Sequence, residues 1–218
     1  MILEDILNNY NEFVITDIAV QKKDNNRFSV FLNKHFAFGI SYETYENFLL
    51  KIDVVLSREK VEEILLFEKV QKAKVGALKY IGVKARTEFE LRKKLRTQEH
   101  ELEIIDKIVD DFKERKYIDD RDFSELYVRD FVNFKKDGIF KLRRNLQQKG
   151  IKSEIIEEVI KQYVSSDDQF KKALQLGLRK FDFLRDKENK KEKIYRFLIQ
   201  KGFESPIVSR VLSEILTD

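Results

Sequence analysis

Three stretches of this 218-residue chain align without a gap, and this internal repeat constrains the fold more than any other feature of the sequence. The stretches are 91–112, 142–163 and 194–215, which are offset by 51 and then 52 residues. Their apolar positions coincide, for example at Leu95, Leu146 and Leu198. A repeat of this period is typical of arrays of supersecondary units, each of which buries its apolar face against a neighbour. An array of this kind offers a long surface, which suits binding better than catalysis.

Composition favours helices and argues against several kinds of site. The chain has one Pro, seven Gly and no Cys, so neither a disulfide framework nor a thiolate metal site is available. His35 and His100 lie far apart in the sequence, and we therefore expect no histidine metal centre and no cofactor. The acidic N-terminus does not resemble a signal peptide, and no apolar run approaches the roughly 20 residues of a membrane span. These features predict a cytoplasmic protein with no membrane partner.

Charge is unevenly distributed along the chain. Residues 1–70 hold 8 Lys and Arg against 12 Asp and Glu, whereas residues 71–218 hold 35 against 27. The repeat region is therefore the basic part, which is a weak indication of binding to nucleic acid or to an acidic protein surface.

The first 40 residues carry strand patterns instead of helical ones. The runs 14–20, 27–32 and 36–40 are rich in β-branched and aromatic residues, and 22–26 has the Lys, Asp and Asn composition of a turn. We predict a small antiparallel meander with Phe28, Val30 and Leu32 on one face. Since a bare small sheet is marginal in water, we expect a helix over 42–52 to cover it. Residues 1–10 are ambiguous.

The pattern is helical from Ser57 onward, with recurring signals for helix ends. Ser57 can cap a helix that continues through Leu78 and Ile81, and Thr87 and Glu90 form a capping box. The matching positions Gly150 and Gly202 predict left-handed turns that end helices. We expect Ser153 and Ser205 to cap the helices that follow, with Pro206 at the first helical position. In the first repeat Glu99 replaces the glycine, so its turn is expected to be longer or differently capped.

A further helix precedes each repeated stretch. Asp119-Asp120 can cap a helix over 123–135, and Asp167-Asp168 can cap one over 170–183. The predicted fold is therefore mainly α. It consists of three tandem three-helix modules that form an elongated curved array, preceded by a small β-containing head. The predicted boundaries are 1–57 for the head and 58–116, 117–164 and 165–218 for the three modules.

Several segments together resemble the RecX family, whose members are bacterial regulators of the RecA recombinase. The segments are 86–91 (RTEFEL), 116–123 (KYIDDRDF), 142–151 (LRRNLQQKGI) and 201–203 (KGF). The resemblance covers about 60–218, and the head resembles the N-terminal extension of some members. It implies a modular helical protein that lies in the groove of RecA filaments, and we expect this protein to be a monomer. It further implies that the protein blocks ATP-driven strand exchange and repressor cleavage and promotes filament disassembly.

Basic residues recur at equivalent positions of the repeat. Lys93, Arg144 and Arg196, which we call the basic ladder, each lie two residues from both flanking apolar positions, about 200° around the helix. Other basic residues accompany them: Arg92, Lys94, Arg96, Lys141, Arg143, Lys149, Lys193 and Lys201. This pattern suits contacts with DNA phosphates or with acidic patches of a recombinase groove, and it equally suits a solvated helix face.

Other candidate residues favour structural roles. Asp119-Asp120 is better interpreted as a helix cap than as a metal-binding or catalytic pair. We predict that Phe89 and Phe140 pack in a core and do not stack on bases. We predict packing roles also for the following aromatic residues: Tyr80, Tyr117, Tyr127, Phe131 and Phe134. No nucleotide-binding, hydrolase or zinc-protease motif is present, so an enzyme is disfavoured. The alternatives are a helical-repeat DNA-binding protein and an adaptor, each acting without RecA.

Overall fold

A computed structural model describes residues 3–184 and 189–217. Residues 1–2, 185–188 and 218, which belong to the predicted head and third module, lie outside the described residues. The elements are α1 (Leu3–Asn9), β1 (Phe13–Gln21), β2 (Asp24–Leu32), β3 (His35–Ser41), α2 (Tyr42–Phe48), β4 (Val55–Leu56), α3 (Arg58–Val83), α4 (Glu88–Thr97), α5 (Leu102–Glu114), α6 (Asp120–Phe134), α7 (Ile139–Gln148), α8 (Ser153–Tyr163), α9 (Ser166–Leu184), α10 (Lys190–Gln200) and α11 (Ser205–Thr217). Within 3–184 and 189–217, no helix is long and apolar enough to cross a membrane.

The chain is mainly helical, with three three-helix domains after a small strand-containing head, as predicted. Packing divides it into two compact units. The first unit comprises 1–82 and 95–110, and the second comprises 83–94 and 111–218. The boundaries predicted from the sequence for the head and the three modules stay a prediction.

The head contains the predicted antiparallel meander. The strand order is β3-β2-β1-β4, and the short edge strand β4, which the sequence pattern did not indicate, pairs with β1. Val30 and Leu32 are fully buried and Phe28 packs beside them, as expected. The predicted turn over 22–26 is too long, because residues 24–26 already belong to β2. Only residues 22–23 connect the two strands.

The cover of the sheet differs from the prediction of one helix over 42–52. Helix α2 ends at Phe48, because Leu49 adopts a left-handed conformation with φ of 46°. Two further elements complete the cover, as shown by the buried Ile6 of α1 and the buried Val61 and Ile64 of α3. The ambiguous N-terminal segment is therefore a helix that helps to bury the sheet.

A buried carboxylate ties α3 to the head. Glu68 is only 8% exposed, and its Oε2 accepts hydrogen bonds from the Ser41 N–H (2.8 Å) and from the hydroxyls of Ser41 (3.0 Å) and Thr44 (2.7 Å). Arg27 forms an ion pair with the other carboxylate oxygen at 3.0 Å. A buried charge is tolerated only when it is paired and hydrogen-bonded in this way. Glu68 therefore fixes where α3 meets β3 and α2.

The repeated apolar positions form the helical cores. Leu95, Leu146 and Leu198 are all 0% exposed, which confirms that they are buried equivalents. In the second unit, one cluster joins α6, α7 and α8 and contains Val128, Leu142, Leu146, Ile156 and Val159. Another joins α9, α10 and α11 and contains Ala173, Ile194, Leu198, Val208 and Val211. Each cluster comes from one helix triplet.

Several of the local helix-end signals are confirmed. The Lys60 N–H donates to Ser57 Oγ (3.3 Å), and Thr87 and Glu90 exchange the two hydrogen bonds of the capping box (3.2 and 3.3 Å). Asp119 caps α6. Gly150 and Gly202 have φ of 79° and 88°, the left-handed conformation that favours glycine. These signals depend on residues close in sequence, which is why the sequence shows them.

Other predicted caps are wrong by one or two positions. The carbonyls of Lys152 and Glu204 accept the first intrahelical bonds of α8 and α11, so Ser153 and Ser205 are first helical residues and not caps. Pro206 is accordingly the second helical residue, where its missing N–H is still harmless. At α9, Ser165 Oγ accepts from the Asp167 N–H (3.2 Å) and Ser165 O from the Gln169 N–H (3.1 Å). Ser165 is therefore the cap in place of Asp167-Asp168.

The first repeat keeps the same turn without glycine. Glu99 adopts φ of 60°, and the His100 N–H bonds to the Leu95 carbonyl at 3.3 Å, as the residues after Gly150 and Gly202 do in their own turns. The expectation of a longer or differently capped turn is therefore wrong. A left-handed conformation at a residue other than glycine costs about 1 kcal/mol, and the position is exposed, so the Glu99 side chain meets no obstacle.

Candidate partner-binding surface

The three members of the basic ladder lie on the second helix of each triplet and are exposed. Lys93 is on α4, Arg144 on α7 and Arg196 on α10. On each helix the two flanking apolar residues are buried, so the intervening basic side chain must point towards solvent. Among the described residues, no ion pair of Lys93 or Arg144 is seen, whereas Arg196 pairs with Glu192 one turn earlier on its own helix. Such an exposed pair within one helix holds a side chain weakly.

The other predicted basic residues divide by their surroundings. Arg96 and Lys193 are exposed, and Lys94 is partly buried. Internal ion pairs join Arg92 to Glu88, Lys141 and Lys201 to Asp137, Lys149 to Glu90, and Arg143 to Glu157 and Glu204. Arg143 makes the most extensive contacts of these residues, because two nitrogens of its guanidinium donate hydrogen bonds to the Glu157 carboxylate at 2.8 and 3.0 Å. The hydrogen bond with Glu157 raises the pKa of Arg143 above its ordinary value.

One of these pairs, Lys149 with Glu90, belongs to a contact that recurs between consecutive triplets. We call it the joint: the N-terminus of the second helix of one triplet contacts the glycine turn of the next. In the first joint, Thr87 Oγ1 donates to the Lys149 carbonyl at 2.7 Å, and Lys149 Nζ forms an ion pair with Glu90 at 2.8 Å. The Phe89 side chain lies against Gly150, where a Cβ would overlap it. The left-handed turn and the close approach thus both require glycine here.

The pKa of Glu90 reflects the contacts that its carboxylate makes in the joint. Burial alone raises its pKa, but the hydrogen bonds from Lys149 Nζ and the Thr87 N–H outweigh this, so the pKa lies below its ordinary value. A lowered folded-state pKa means that ionised Glu90 stabilises the folded protein, and this stabilisation is lost as pH falls through that pKa.

The second joint repeats the first with backbone groups. The Gly138 N–H donates to the Lys201 carbonyl at 2.8 Å, and the Phe140 N–H donates to the Gly202 carbonyl at 3.0 Å. Gly138 occupies the position equivalent to Thr87, and a Cβ there would overlap the backbone of Gly202. The repeat equivalence with Thr87 was the available signal for this residue, although no role was predicted for Gly138.

Several aromatic residues are less buried than predicted. Phe89 and Phe140 are 48% and 53% exposed and do not enter a core. The Phe89 side chain lies against Gly150 in the first joint, and Phe140 takes part in the second joint through its backbone N–H. Phe134 is 78% exposed, so its predicted packing role is wrong, whereas the half-exposed Tyr117 does pack edge-on against the buried Phe112 ring, with 5.5 Å between the ring centroids. Phe131 is buried and Tyr127 packs against the same cluster, as expected.

Asp119 and Asp120 each accept hydrogen bonds from backbone N–H groups at the N-terminus of a helix, and the two residues do so for different helices. Asp119 Oδ1 accepts from the Arg121 N–H (2.8 Å) and the Asp122 N–H (3.1 Å), whereas Asp120 Oδ1 accepts from the Glu88 N–H (2.9 Å) at the start of α4. Burial raises the pKa of Asp120 above its ordinary value. The pair lines a cavity of about 270 Å³. Within the described residues, no group of three or more metal-ligating side chains is found.

Fold and surface together define a class: a tandem three-helix repeat protein that presents cations at equivalent positions. Comparison with known families identifies each part. The matching family models are the RecX N-terminal domain at 13–57 and the first, second and third RecX three-helix domains at 73–112, 119–160 and 167–212. The chain therefore belongs to the RecX family of regulatory proteins.

Individual relatives agree with this assignment. Regulatory protein RecX of Clostridium botulinum (strain Alaska E43) is 32% identical over 206 residues, covering 93% of this chain and 96% of the relative. RecX of Listeria monocytogenes (strain EGD-e) is 31% identical and covers 94% of this chain and 76% of the relative. A crystal structure of regulatory protein RecX matches with a TM-score of 0.78 and 26% identity, covering 91% of this chain and 98% of that one. RecX from Lactobacillus salivarius matches with a TM-score of 0.63 and 28% identity, covering 67% of this chain and 96% of that one.

Proposed function

We propose that this chain is a non-enzymatic regulator of DNA recombination and repair. It binds RecA filaments on DNA, inhibits their ATPase, strand-exchange and coprotease activities, and promotes filament disassembly. It acts in the cytoplasm as a monomer, and the basic ladder with its accompanying basic residues forms the contact surface. The observation that carries the proposal is RecX-type sequence in all four parts of the chain.

The recurrence of exposed cations supports binding to an extended, negatively charged partner. Lys93, Arg144 and Arg196 are exposed at equivalent positions of three consecutive helix triplets. A partner that spans the triplets can sum three modest electrostatic contributions, none of which needs to be large alone. Most of the other basic residues are already held in internal pairs, so we assign the main contact to the ladder.

The function is tested by mixing the chain with RecA of its host on single-stranded DNA. We expect the rate of ATP hydrolysis to fall when this protein is present at less than one copy per RecA subunit, because one bound copy disturbs a cooperative filament. ATP hydrolysis, strand exchange and filament length are the measurements. If all three stay unchanged, the protein acts without RecA, and a DNA-binding protein or an adaptor becomes the better explanation.

Charge reversal tests the surface. We expect the triple variant Lys93→Glu, Arg144→Glu, Arg196→Glu to bind filaments or DNA much more weakly than any single variant, while each change alters the free energy of unfolding by no more than about 0.5 kcal/mol. Where DNA phosphates are the contact, the slope of log affinity against log salt should also flatten, by about 0.9 per lost contact on duplex and 0.7 on single strands.

A matched control separates position from net charge. Lys22, Lys23 and Lys34 are exposed residues of the head, and their replacement by Glu changes net charge by the same amount. We expect this control to bind like the parent apart from a small effect at low salt. If the triple ladder variant folds and still inhibits RecA like the parent, these side chains form only a solvated helix face and do not contact the partner.

A further inference from the structure

Among the described residues, three of the most exposed large apolar side chains lie at equivalent places in the repeat. Val83 is 79% exposed at the end of α3, Phe134 is 78% exposed at the end of α6, and Phe183 is 72% exposed at the penultimate residue of α9. These are the first helices of the three triplets. Isolated exposed apolar residues are common, but recurrence at the same place in three repeats is not expected by chance.

The packing of the three helices establishes that the positions are equivalent. Ten residues before each exposed side chain lies a small, fully packed residue: Ala73, Ser124 and Ala173. Six residues before each lies another buried one: Ala77, Val128 and Gly177. The inward faces of α3, α6 and α9 are therefore in register, and each helix carries its exposed apolar residue at the same height and angle.

We propose that Val83, Phe134 and Phe183 are anchors that insert into apolar pockets on successive identical subunits of a protein polymer. This inference rests on the proposed function, which makes the RecA filament that polymer. A feature repeated three times in one chain suits a partner that is itself repeated, because each copy meets the same kind of site. Exposed aromatic and aliphatic anchors entering pockets are the usual source of interface affinity.

The chemistry of the anchors favours protein over single-stranded nucleic acid. Val83 is aliphatic and has no aromatic face, so it cannot stack on a base, whereas all three side chains can fill an apolar pocket. Cations accompany the anchors: Lys84 follows Val83, Lys135 and Lys136 follow Phe134, and Lys180 lies 5.2 Å from the Phe183 ring centroid. Asp182 also adjoins Phe183. We therefore expect the pockets to be rimmed mainly by carboxylates.

The test compares binding to polymerised and unpolymerised RecA. Filaments are assembled on single-stranded DNA with a slowly hydrolysed ATP analogue, and binding of the fluorescently labelled chain is measured to filaments, to RecA without DNA and to the DNA alone. We expect Phe134→Ala to weaken filament binding about tenfold, and the triple change to Ala to weaken it more than about a hundredfold. The preference of the parent for filaments over unpolymerised RecA should disappear in the triple variant.

Leu126→Ala and Leu178→Ala are the controls, because these residues are 57% and 45% exposed on α6 and α9 but are not at the helix ends. They should bind like the parent, and thermal unfolding should show all variants folded. If the parent binds filaments and the triple variant binds equally well, the three side chains are not anchors, and the proposed function is unaffected. If the triple variant loses binding to DNA alone, the partner is nucleic acid and the inference is overturned. If the parent does not bind filaments, the proposed function fails together with the inference.

Discussion

Replacing Gly138 by Ala is expected to destabilise the protein by about 3–5 kcal/mol, although it adds a single methyl group. The backbone at Gly138 has φ of −84° and ψ of 171°, which alanine adopts without strain, so the cost is steric. The new Cβ would overlap the carbonyl group of Gly202, which belongs to a rigid backbone turn. The estimate combines about 1–3 kcal/mol for overpacking with about 1 kcal/mol for each backbone hydrogen bond of the joint.

Urea denaturation measures the loss of stability, and amide hydrogen exchange locates it. The Gly138 and Phe140 amides donate across the second joint, so their exchange should accelerate in the variant more than that of amides within α8. Gly76→Ala is the matched control, because a Cβ at that position in α3 would meet nothing within 4 Å beyond the neighbouring backbone of its own helix. This control should gain about 0.5–1 kcal/mol from helix propensity. A Gly138→Ala variant as stable as the parent would mean that the second joint does not form.

Replacing Leu146 by Ala is expected to cost roughly 2–5 kcal/mol through the cavity that it leaves. Leu146 is 0% exposed in a core with Val128, Ile156 and Val159, which come from the other two helices of its triplet. Its triplet also takes part in both joints, so loosening this core should weaken the contacts on either side.

The free energy of unfolding in urea, compared with Leu126→Ala as the exposed leucine of the same triplet, measures the effect. The control should change stability by about 0.5 kcal/mol or less. A near-neutral result for Leu146→Ala would contradict the repeat register, since equivalent apolar positions would then not be core positions.

The sequence by itself determined the features that depend on short-range rules. The period of apolar residues placed Leu95, Leu146 and Leu198 in cores, because a helix repeats every 3.6 residues and only one face can be buried. The capping box of Thr87 and Glu90 and the left-handed Gly150 and Gly202 were also readable, since each involves residues within one turn. The strands of the head followed from their β-branched and aromatic composition. The family resemblance came from the same local motifs.

The tertiary structure alone decided the features that depend on residues distant in the chain. Glu68 looked like one more helical position, yet its partners Ser41 and Thr44 lie in the head, 27 and 24 residues away. Gly138 had no visible role until the turn at Gly202 was placed against it. Phe89 and Phe140 were predicted to be core residues, but they lie at the starts of α4 and α7. The periodicity of apolar residues shows which face of a helix is buried, but it does not show what packs against the end of that helix. Arg143 looked as available as Arg144, and only the folded chain brings Glu157 and Glu204 to one and leaves the other exposed. Burial and pairing are properties of the space around a residue, and one-dimensional spacing encodes that space only within a single element.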